Sequence, residues 1–262
     1  MERGACSAIV HSAPWWVEPA IASCAFLVWL LFFRACELGS GFLLRAPRQS
    51  LRLLAALARS TSFESPHAFT VRAFSALGAY WVGIYLWTSV VPPVSGALAG
   101  CPTSGADAVL LVAELVSGVV GYDFVFFWLH LAMHASPRIG RAVGHAQHHA
   151  FDGHGGEDGS ESAFRTVNHA LLDGSLQVLS NILVQRHTPW GAPKSKLARW
   201  AHNVLVTFLL VEAHTTAPSP RVFRRLFAGV RDHHLHHRHR GAPYQQARRL
   251  PSQPCHLVPV PA

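Results

Sequence analysis

The chain has 262 residues, a net charge of +8, 50% hydrophobic residues and only 14% charged residues. A soluble domain usually carries about 25% charged residues, so this composition indicates a membrane protein rather than an ordinary soluble enzyme. The basic residues flank apolar segments and form no continuous face, which argues against nucleic acid as a partner and favours contact with anionic lipid head groups.

The first apolar segment, Ala20–Phe33, is short for a membrane span. Trp15 and Trp16 precede it at a predicted membrane interface, and Arg34 follows it. It resembles the apolar region of a signal peptide, but no clear cleavage site follows. We therefore favour an uncleaved signal-anchor.

The next two apolar segments are long enough to span a bilayer. Ala73–Val91 holds nineteen residues without a charge, about the length that crosses a hydrocarbon core. Ala108–Leu129 is also long enough but carries Glu114, a candidate for lining a substrate cavity, and Asp123.

Two further apolar stretches, His169–Val184 and Trp200–Val211, predict a helical hairpin that spans or dips into the bilayer. Pro189, Gly191 and Pro193 break the helix between them. Lys194 and Lys196 follow in the same turn, which conflicts with placing that turn in a lumen.

The distribution of arginine predicts the orientation of the bundle. Pro92–Asp107 contains neither Lys nor Arg, whereas the loop between the first two segments is rich in arginine, so the positive-inside rule places that loop in the cytoplasm. The third segment then runs back to the cytoplasmic face. The loop arginines are Arg34, Arg45, Arg48, Arg52 and Arg59.

Three histidine clusters at helical spacing are the strongest chemical signal. The first reads HxxxH and the other two read HxxHH, so each can direct its imidazoles from one helix face towards a single point. Eight such ligands are too many for one tetrahedral zinc and suit a pair of transition-metal ions. The clusters are His130 and His134; His145, His148 and His149; and His233, His236 and His237.

Two more histidines are candidate ligands, because each lies at the end of an apolar segment. His214 ends the fifth segment, and His169 opens the fourth. His169 is followed by Asp173, Gln177 and Asn181 at i+4 spacing, a polar stripe that either serves the site or forms an interhelical hydrogen-bond seam.

Asp123 lies two helical turns before His130, where its carboxylate could accept the second N–H of a metal-bound imidazole or pair with an arginine. The alternatives to metal ligation are that His130, taken alone, is a buried structural histidine and that residues 231–240 are a basic tract that binds lipid. The repeated spacing across three clusters favours metal ligation over both.

The five cysteines are scattered without CxxC spacing, so they predict neither a disulfide framework nor a zinc site. They are Cys6, Cys24, Cys36, Cys101 and Cys255.

From about Asp123 to His237 the chain resembles the sterol desaturase / fatty acid hydroxylase superfamily of membrane di-iron oxygenases. The resemblance rests on the segment from Asp123 to His134, which carries Trp128-Leu-His130, and on the two HxxHH clusters. His169 and His214 also match positions of that superfamily.

The resemblance implies that the ten histidines named above ligate two iron ions, with Asp123 supporting them. It further implies O2-dependent hydroxylation or desaturation of a sterol or fatty-acyl lipid at the endoplasmic reticulum membrane, with electrons from NAD(P)H through a reductase and a cytochrome b5-type donor. No fused cytochrome b5 module is visible, so the donor is expected to be a separate protein. The chain departs from the superfamily at Leu131, where arginine is frequent, and after Tyr244, where an aromatic-rich segment usually follows.

We therefore predict an all-α integral membrane helical bundle with a cytoplasmic histidine-box cap. Residues 1–105 are predicted to hold N-terminal membrane helices and a cytoplasmic basic loop, residues 106–240 the di-iron domain, and residues 241–262 a disordered tail. The expected partners are a membrane lipid, the bilayer and the electron donor, but no nucleic acid. The alternatives are a non-catalytic membrane metal-binding or transport protein and an inactive member of the family.

Overall fold

A computed structural model describes residues 3–37, 74, 77–78, 80–82, 85, 99–145, 163–167 and 169–215. The predicted ligands His148, His149, His233, His236 and His237 lie outside the described residues, as does the predicted tail 241–262.

The described residues are mainly helical, as predicted, and contain no strand beyond one isolated bridge between His187 and Pro193. The helices are α1 (Arg3–Ser12), α2 (Val17–Glu37), α3 (Gly105–Ala135), α4 (Pro137–Val143), a short 3-10 helix (Ala163–Val167), α5 (Leu171–Arg186) and α6 (Lys196–Glu212).

Both α2 and α3 are long and apolar enough to cross a bilayer. Helix α2 extends further than the apolar segment Ala20–Phe33, so it reaches spanning length. Helix α3 begins at a capping box, in which the Ser104 hydroxyl accepts from the Asp107 backbone N–H and the Asp107 carboxylate accepts from the Ser104 N–H.

Helix α3 presents an apolar face on the outside of the bundle. Only 28% of the apolar window of α3 is buried, whereas the apolar core helix of a soluble protein would be largely covered. Large apolar residues of α3 remain exposed while Glu114 and Asp123 on the same helix are buried. This distribution is that of a membrane helical bundle with lipid as its outer solvent. Exposed residues of α3 include Val109, Val112, Val116, Val120 and Phe124.

Helix α6 packs against both α2 and α3, and α5 packs against α3. One apolar core cluster joins Leu30 and Phe33 of α2 to Val167 and to Val211 of α6. A second joins Val119 and Tyr122 of α3 to Val206 and Leu209 of α6. These clusters hold the C-terminal part of α6 between the two spanning helices.

A disulfide joins Cys6 of α1 to Cys101, which precedes α3, across 95 residues of sequence. The prediction that the cysteines form no disulfide framework was therefore wrong for this pair. Folding brings together two cysteines that are far apart in the sequence, which their spacing alone could not indicate. Among the described cysteines, Cys24 and Cys36 are free.

The turn between α5 and α6 lies beside this disulfide. The Leu197 backbone N–H donates to the Ala99 carbonyl at 3.0 Å, and the Lys196 ammonium donates to the carbonyls of Val10 and His11 in α1. We call this part of the molecule, comprising α1, Ala99–Ser104 and the turn at 187–195, the disulfide end.

The two turn lysines that conflicted with a lumenal loop are both engaged by protein groups. Lys194 is buried, and Glu114 lies close enough to interact with its charge. The Glu114 carboxylate also accepts from the Ser195 N–H at 3.2 Å and from the Ser195 hydroxyl at 2.5 Å.

Candidate metal centre

The opposite end of α3 carries three converging histidines. His130 and His134 lie one turn apart near the C-terminus of α3. His145 follows α4, which ends at Gly144 in the left-handed conformation with a φ of 76°. A Cβ on Gly144 would also lie 2.5 Å from the Ala170 side chain, so only glycine fits this turn, which directs His145 back towards α3. We call this part of the molecule the histidine end.

The three rings meet through their Nε2 atoms. The Nε2 atoms of His130 and His134 are 3.0 Å apart, and those of His134 and His145 are 3.2 Å apart. One ligand nitrogen from each ring lies within 4.8 Å of the others. His130 and His145 are buried, and His134 is partly buried.

A bound cation explains this arrangement better than hydrogen bonding does. A ring nitrogen has either a hydrogen or a lone pair in the ring plane, so the Nε2 of His134 can satisfy one of its two neighbours but not both. Three lone pairs directed at one cation have no such conflict. Two imidazole nitrogens bound at about 2.1 Å to one ion lie roughly 3.0–3.4 Å apart, which matches both distances.

The fully buried carboxylate of Asp173 accepts hydrogen bonds from His145 and His169. The Nδ1–H of His145 donates to Asp173 Oδ2 at 3.1 Å, and the Nδ1–H of His169 donates to the same oxygen at 3.2 Å. Because the carboxylate only accepts when ionised, Nδ1 of His145 carries the hydrogen and Nε2 keeps the lone pair. Asp173 therefore selects the tautomer in which His145 can bind a metal.

His214 has its tautomer fixed in another way. Its Nδ1–H donates to the Leu210 carbonyl at 2.8 Å, which leaves the lone pair on Nε2. The side chain is buried at the end of α6, as expected for a ligand brought to a membrane face. The structure thus brings His130, His134 and His145 together, links His169 to them through Asp173, and leaves the ligand role of each histidine a prediction.

Asp173 is the residue whose importance the sequence understated. It appeared as one member of a polar stripe, with a hydrogen-bond seam as an equal alternative. Asp123, predicted to support a ligand, is buried in α3, and its supporting role stays a prediction. The signal for Asp173 was its position one helical turn after His169, where a carboxylate can reach a ring nitrogen.

The lower part of the stripe forms the predicted seam. The Nε2–H of His202 donates to Asn181 Oδ1 at 2.7 Å, and Asn181 Nδ2 donates to Asn203 Oδ1 at 3.1 Å. Gln185 Nε2 donates to the same Asn203 oxygen at 2.8 Å. We call these four residues the amide network.

A cavity lies beside the histidine end and reaches the amide network. Its space amounts to about 770 Å³ with the open solvent at its mouth included, and it is lined by α2, α3, α5, α6 and the 3-10 helix. His169 lines one part of it, whereas Asn181 and Asn203 line another. Glu114, a sequence candidate for lining a cavity, is absent from its described lining because that carboxylate is held by Ser195.

These features define an all-α membrane protein with a histidine cluster that can hold a metal ion. The sequence profile of the fatty acid hydroxylase family matches residues 115–249, just over half of the chain. The chain belongs to this family, and thus to the sterol desaturase / fatty acid hydroxylase superfamily, as its motifs predicted. Membership indicates a lipid hydroxylase or desaturase. No curated protein and no solved structure matched the chain.

Proposed function

We propose that this protein is a di-iron, O2-dependent oxidoreductase that hydroxylates or desaturates a sterol or fatty-acyl lipid in the endoplasmic reticulum membrane. The observation that carries the proposal is the convergence of three imidazole Nε2 atoms, supported by Asp173, beside an apolar cavity in a membrane bundle.

His130, His134 and His145 would hold one metal ion through their ring nitrogens. The remaining predicted ligands, which would hold the second ion, are His148, His149, His169, His214, His233, His236 and His237. Imidazoles are neutral ligands that suit iron, whereas sulfur ligands are absent from the described cluster. When bound, iron supplies the oxygen chemistry that attacks an unactivated C–H bond.

The residues of the chain perform the supporting tasks. Asp173 holds the Nδ1 hydrogens of His145 and His169, which keeps both rings oriented. The cavity admits an apolar lipid and excludes water from the reacting carbon. Hydroxylation consumes a lipid C–H, O2, two electrons and two protons, and it yields a lipid alcohol and water. The electrons are expected from NAD(P)H through a separate cytochrome b5-type donor.

The disulfide supports a lumenal disulfide end and a cytoplasmic histidine end. Disulfides persist in the endoplasmic reticulum lumen and are rare in the cytosol. Helix α3 has 31 residues and is therefore about 46 Å long, so its two ends can lie on opposite sides of the bilayer. This sidedness agrees with the orientation that the arginine loop predicts and exposes the histidine end to a cytosolic electron donor.

Sidedness can be tested in sealed endoplasmic reticulum microsomes with a membrane-impermeant maleimide. The chain would carry Cys24→Ser, Cys36→Ser and Cys255→Ser, so that only Cys6 and Cys101 react after reduction by a permeant phosphine. We expect labelling only after the microsomes are permeabilised. Equal labelling of intact microsomes would place the disulfide end in the cytosol and refute the orientation.

The reaction itself is tested by lipid profiling. Cells that express the wild-type chain should accumulate a hydroxylated or desaturated lipid, and cells that express His134→Ala should not. His11→Ala is the matched control, because this histidine is exposed at the disulfide end. Identical lipid profiles for all three, at equal protein levels, would favour the inactive family member. Metal uptake into sealed vesicles would favour a transporter.

A further inference from the structure

One glycine in the wall of the cavity is not required by the fold. Gly174 lies within α5, although glycine is among the least favourable residues inside a helix. Its backbone conformation does not call for glycine, because the described glycines with a positive φ are Gly100, Gly144 and Gly191. The reason for a glycine at this position must therefore lie outside the helix backbone.

Close packing does not require a glycine there either. Among the described residues, a Cβ on Gly174 would meet only the Cβ of His169, at 3.7 Å, which is an ordinary van der Waals contact. Gly118 in α3 shows the contrast, because a Cβ on Gly118 would lie 2.6 Å from Nδ1 of His202 and 2.7 Å from Nζ of Lys194. Small residues let membrane helices approach closely at positions such as Gly118, and Gly174 is not such a position.

Gly174 belongs to the face of α5 that forms part of the cavity wall. Three residues follow it at spacings of three, four and seven, which place all four on one side of a helix: Gln177, Val178 and Asn181. All four line the cavity. A side chain at position 174 would therefore project into the cavity, and the glycine leaves that space open.

The open space lies beside predicted metal ligands. Gly174 directly follows Asp173, the shared acceptor of the two histidine N–H groups. His169, one of those histidines, also lines the cavity. Asn181 lies at the other end of the cavity face of α5, about 10 Å further along the helix. Of the described α5 residues in the wall, Gly174 is thus the nearest to the histidine end.

The cavity suits the uncharged carbon skeleton of a lipid. Its described lining contains no Lys, Arg, Asp or Glu, and an unpaired charge would be costly there. An unbranched alkyl chain is the slenderest lipid skeleton, so it gains least from a missing side chain in the wall. A ring or branched skeleton needs more width, and Gly174 provides that width where a ligand approaches the histidine end.

We propose that Gly174 determines substrate specificity by leaving room at the histidine end for the ring or branched carbon skeleton of an uncharged lipid. This inference rests on the proposed function for the identity of that lipid as a substrate. The binding step itself needs neither iron nor O2, so it can be measured without turnover.

The test enlarges the side chain at position 174 after the protein has folded. The purified full-length chain would carry Gly174→Cys in a background without other free thiols. That background is Cys24→Ser, Cys36→Ser and Cys255→Ser. Methyl and benzyl methanethiosulfonate then attach groups of increasing size to the new thiol, and intact mass confirms each product. Because a Cβ fits beside His169, Gly174→Cys should fold and should retain the iron content of the wild type.

The readout is equilibrium binding of tritiated cholesterol and of tritiated 1-octadecanol in detergent micelles under nitrogen. Both ligands are uncharged alcohols, so the comparison isolates a ring skeleton from an unbranched one. We expect the benzyl group to weaken cholesterol binding at least about tenfold, and 1-octadecanol binding less than about threefold, because lost space in an apolar pocket penalises the wider ligand. The methyl group should have a smaller effect in the same direction.

Ser175→Cys in the same background is the matched control. Ser175 is the next residue along α5, but it is absent from the described lining of the cavity. The same reagents should attach there without changing the binding of either ligand. If Gly174→Cys fails to fold, Gly174→Ala makes the smallest change at this position, and it should weaken cholesterol binding more than 1-octadecanol binding.

A loss of 1-octadecanol binding as large as that of cholesterol would overturn the inference, since position 174 would then not select for width. Unchanged cholesterol binding in the benzylated chain, a thiol at position 174 that does not react, or a wild type that does not bind cholesterol would overturn it as well. A chain that loses cholesterol selectively on benzylation but oxidises no lipid would keep this inference and refute the oxygenase proposal, so the two failures are distinguishable.

Discussion

The two ends of the bundle both bury polar groups, but they use them differently. At the disulfide end, Glu114 is satisfied by Ser195, and Lys196 by backbone carbonyls of α1, so the polar groups connect segments of the chain. At the histidine end, the Nε2 of His134 lies 3.0 Å from that of His130 and 3.2 Å from that of His145, a convergence that suits a shared cation. Buried polar groups that hydrogen-bond to one another indicate a structural role, whereas buried groups whose lone pairs converge on one point indicate a ligand site.

The largest effect on the contrast between the two ends should come from removing the ring of His134, which lies between the other two histidines. His134→Ala deletes the Nε2 that contacts both neighbours, so we expect iron content and lipid oxidation to fall to background, a loss of at least about 100-fold. Metal analysis and product formation on the purified chain measure both. His11→Ala should retain wild-type values, and iron that stays at the wild-type level in His134→Ala would contradict the assignment.

The next largest effect should come from replacing the Asp173 carboxylate, which accepts from His145 and His169. Asp173→Asn keeps the size of the side chain but replaces the ionised acceptor shared by His145 and His169. We expect iron affinity or activity to fall about 10- to 100-fold, the usual loss when a partner of a metal-bound histidine is removed.

The matched control is Glu18→Gln, which removes a carboxylate from a partly exposed pair with Arg199 far from the rings. Equal iron affinity in Asp173→Asn and Glu18→Gln would show that Asp173 only fills space.

The disulfide end should respond in stability rather than in metal binding. Cys6→Ser opens a link across 95 residues, and we expect it to lower the free energy of unfolding by about 2–4 kcal/mol. Thermal unfolding in detergent measures the loss, while iron content at low temperature should not change. Cys24→Ser is the control, since that cysteine is free. A Cys6→Ser protein that melts with the wild type but loses iron would reverse the contrast between the two ends.

The smallest effect concerns pH. Burial lowers the pKa of Lys194 to about 8 from its ordinary value of 10.5, against the attraction of Glu114. Between these values the unfolded chain holds a proton that the folded chain has released, so stability should rise as pH increases through this window. The melting temperature of the wild type relative to Lys194→Met should therefore increase from pH 8 to pH 10. A constant difference across this range would show that the lysine is protonated equally in both states.

The sequence predicted the parts of the fold that follow from local patterns. The length of the apolar segment Ala108–Leu129 predicted α3, and the helix breakers Pro189 and Gly191 predicted the turn between α5 and α6. Histidine spacing placed His130 and His134 on one helix face. These features depend on residues within a few turns of one another, and the family match agrees with the superfamily that the same motifs indicated.

What sequence could not supply depends on contacts between distant segments. The pairing of Cys6 with Cys101 requires α1 to pack beside the start of α3, which no local pattern encodes. The sharing of Asp173 between His145 and His169 likewise depends on how α4 meets α5.

The central claim, that the histidine end holds iron through imidazole nitrogens, is tested most directly by iron K-edge X-ray absorption on the purified chain with iron counted in parallel. We predict two iron ions per chain with a first coordination shell of nitrogen and oxygen near 2.1 Å, imidazole outer-shell scattering and no sulfur. Purified chain that holds no iron, or iron bound through sulfur, would contradict the account.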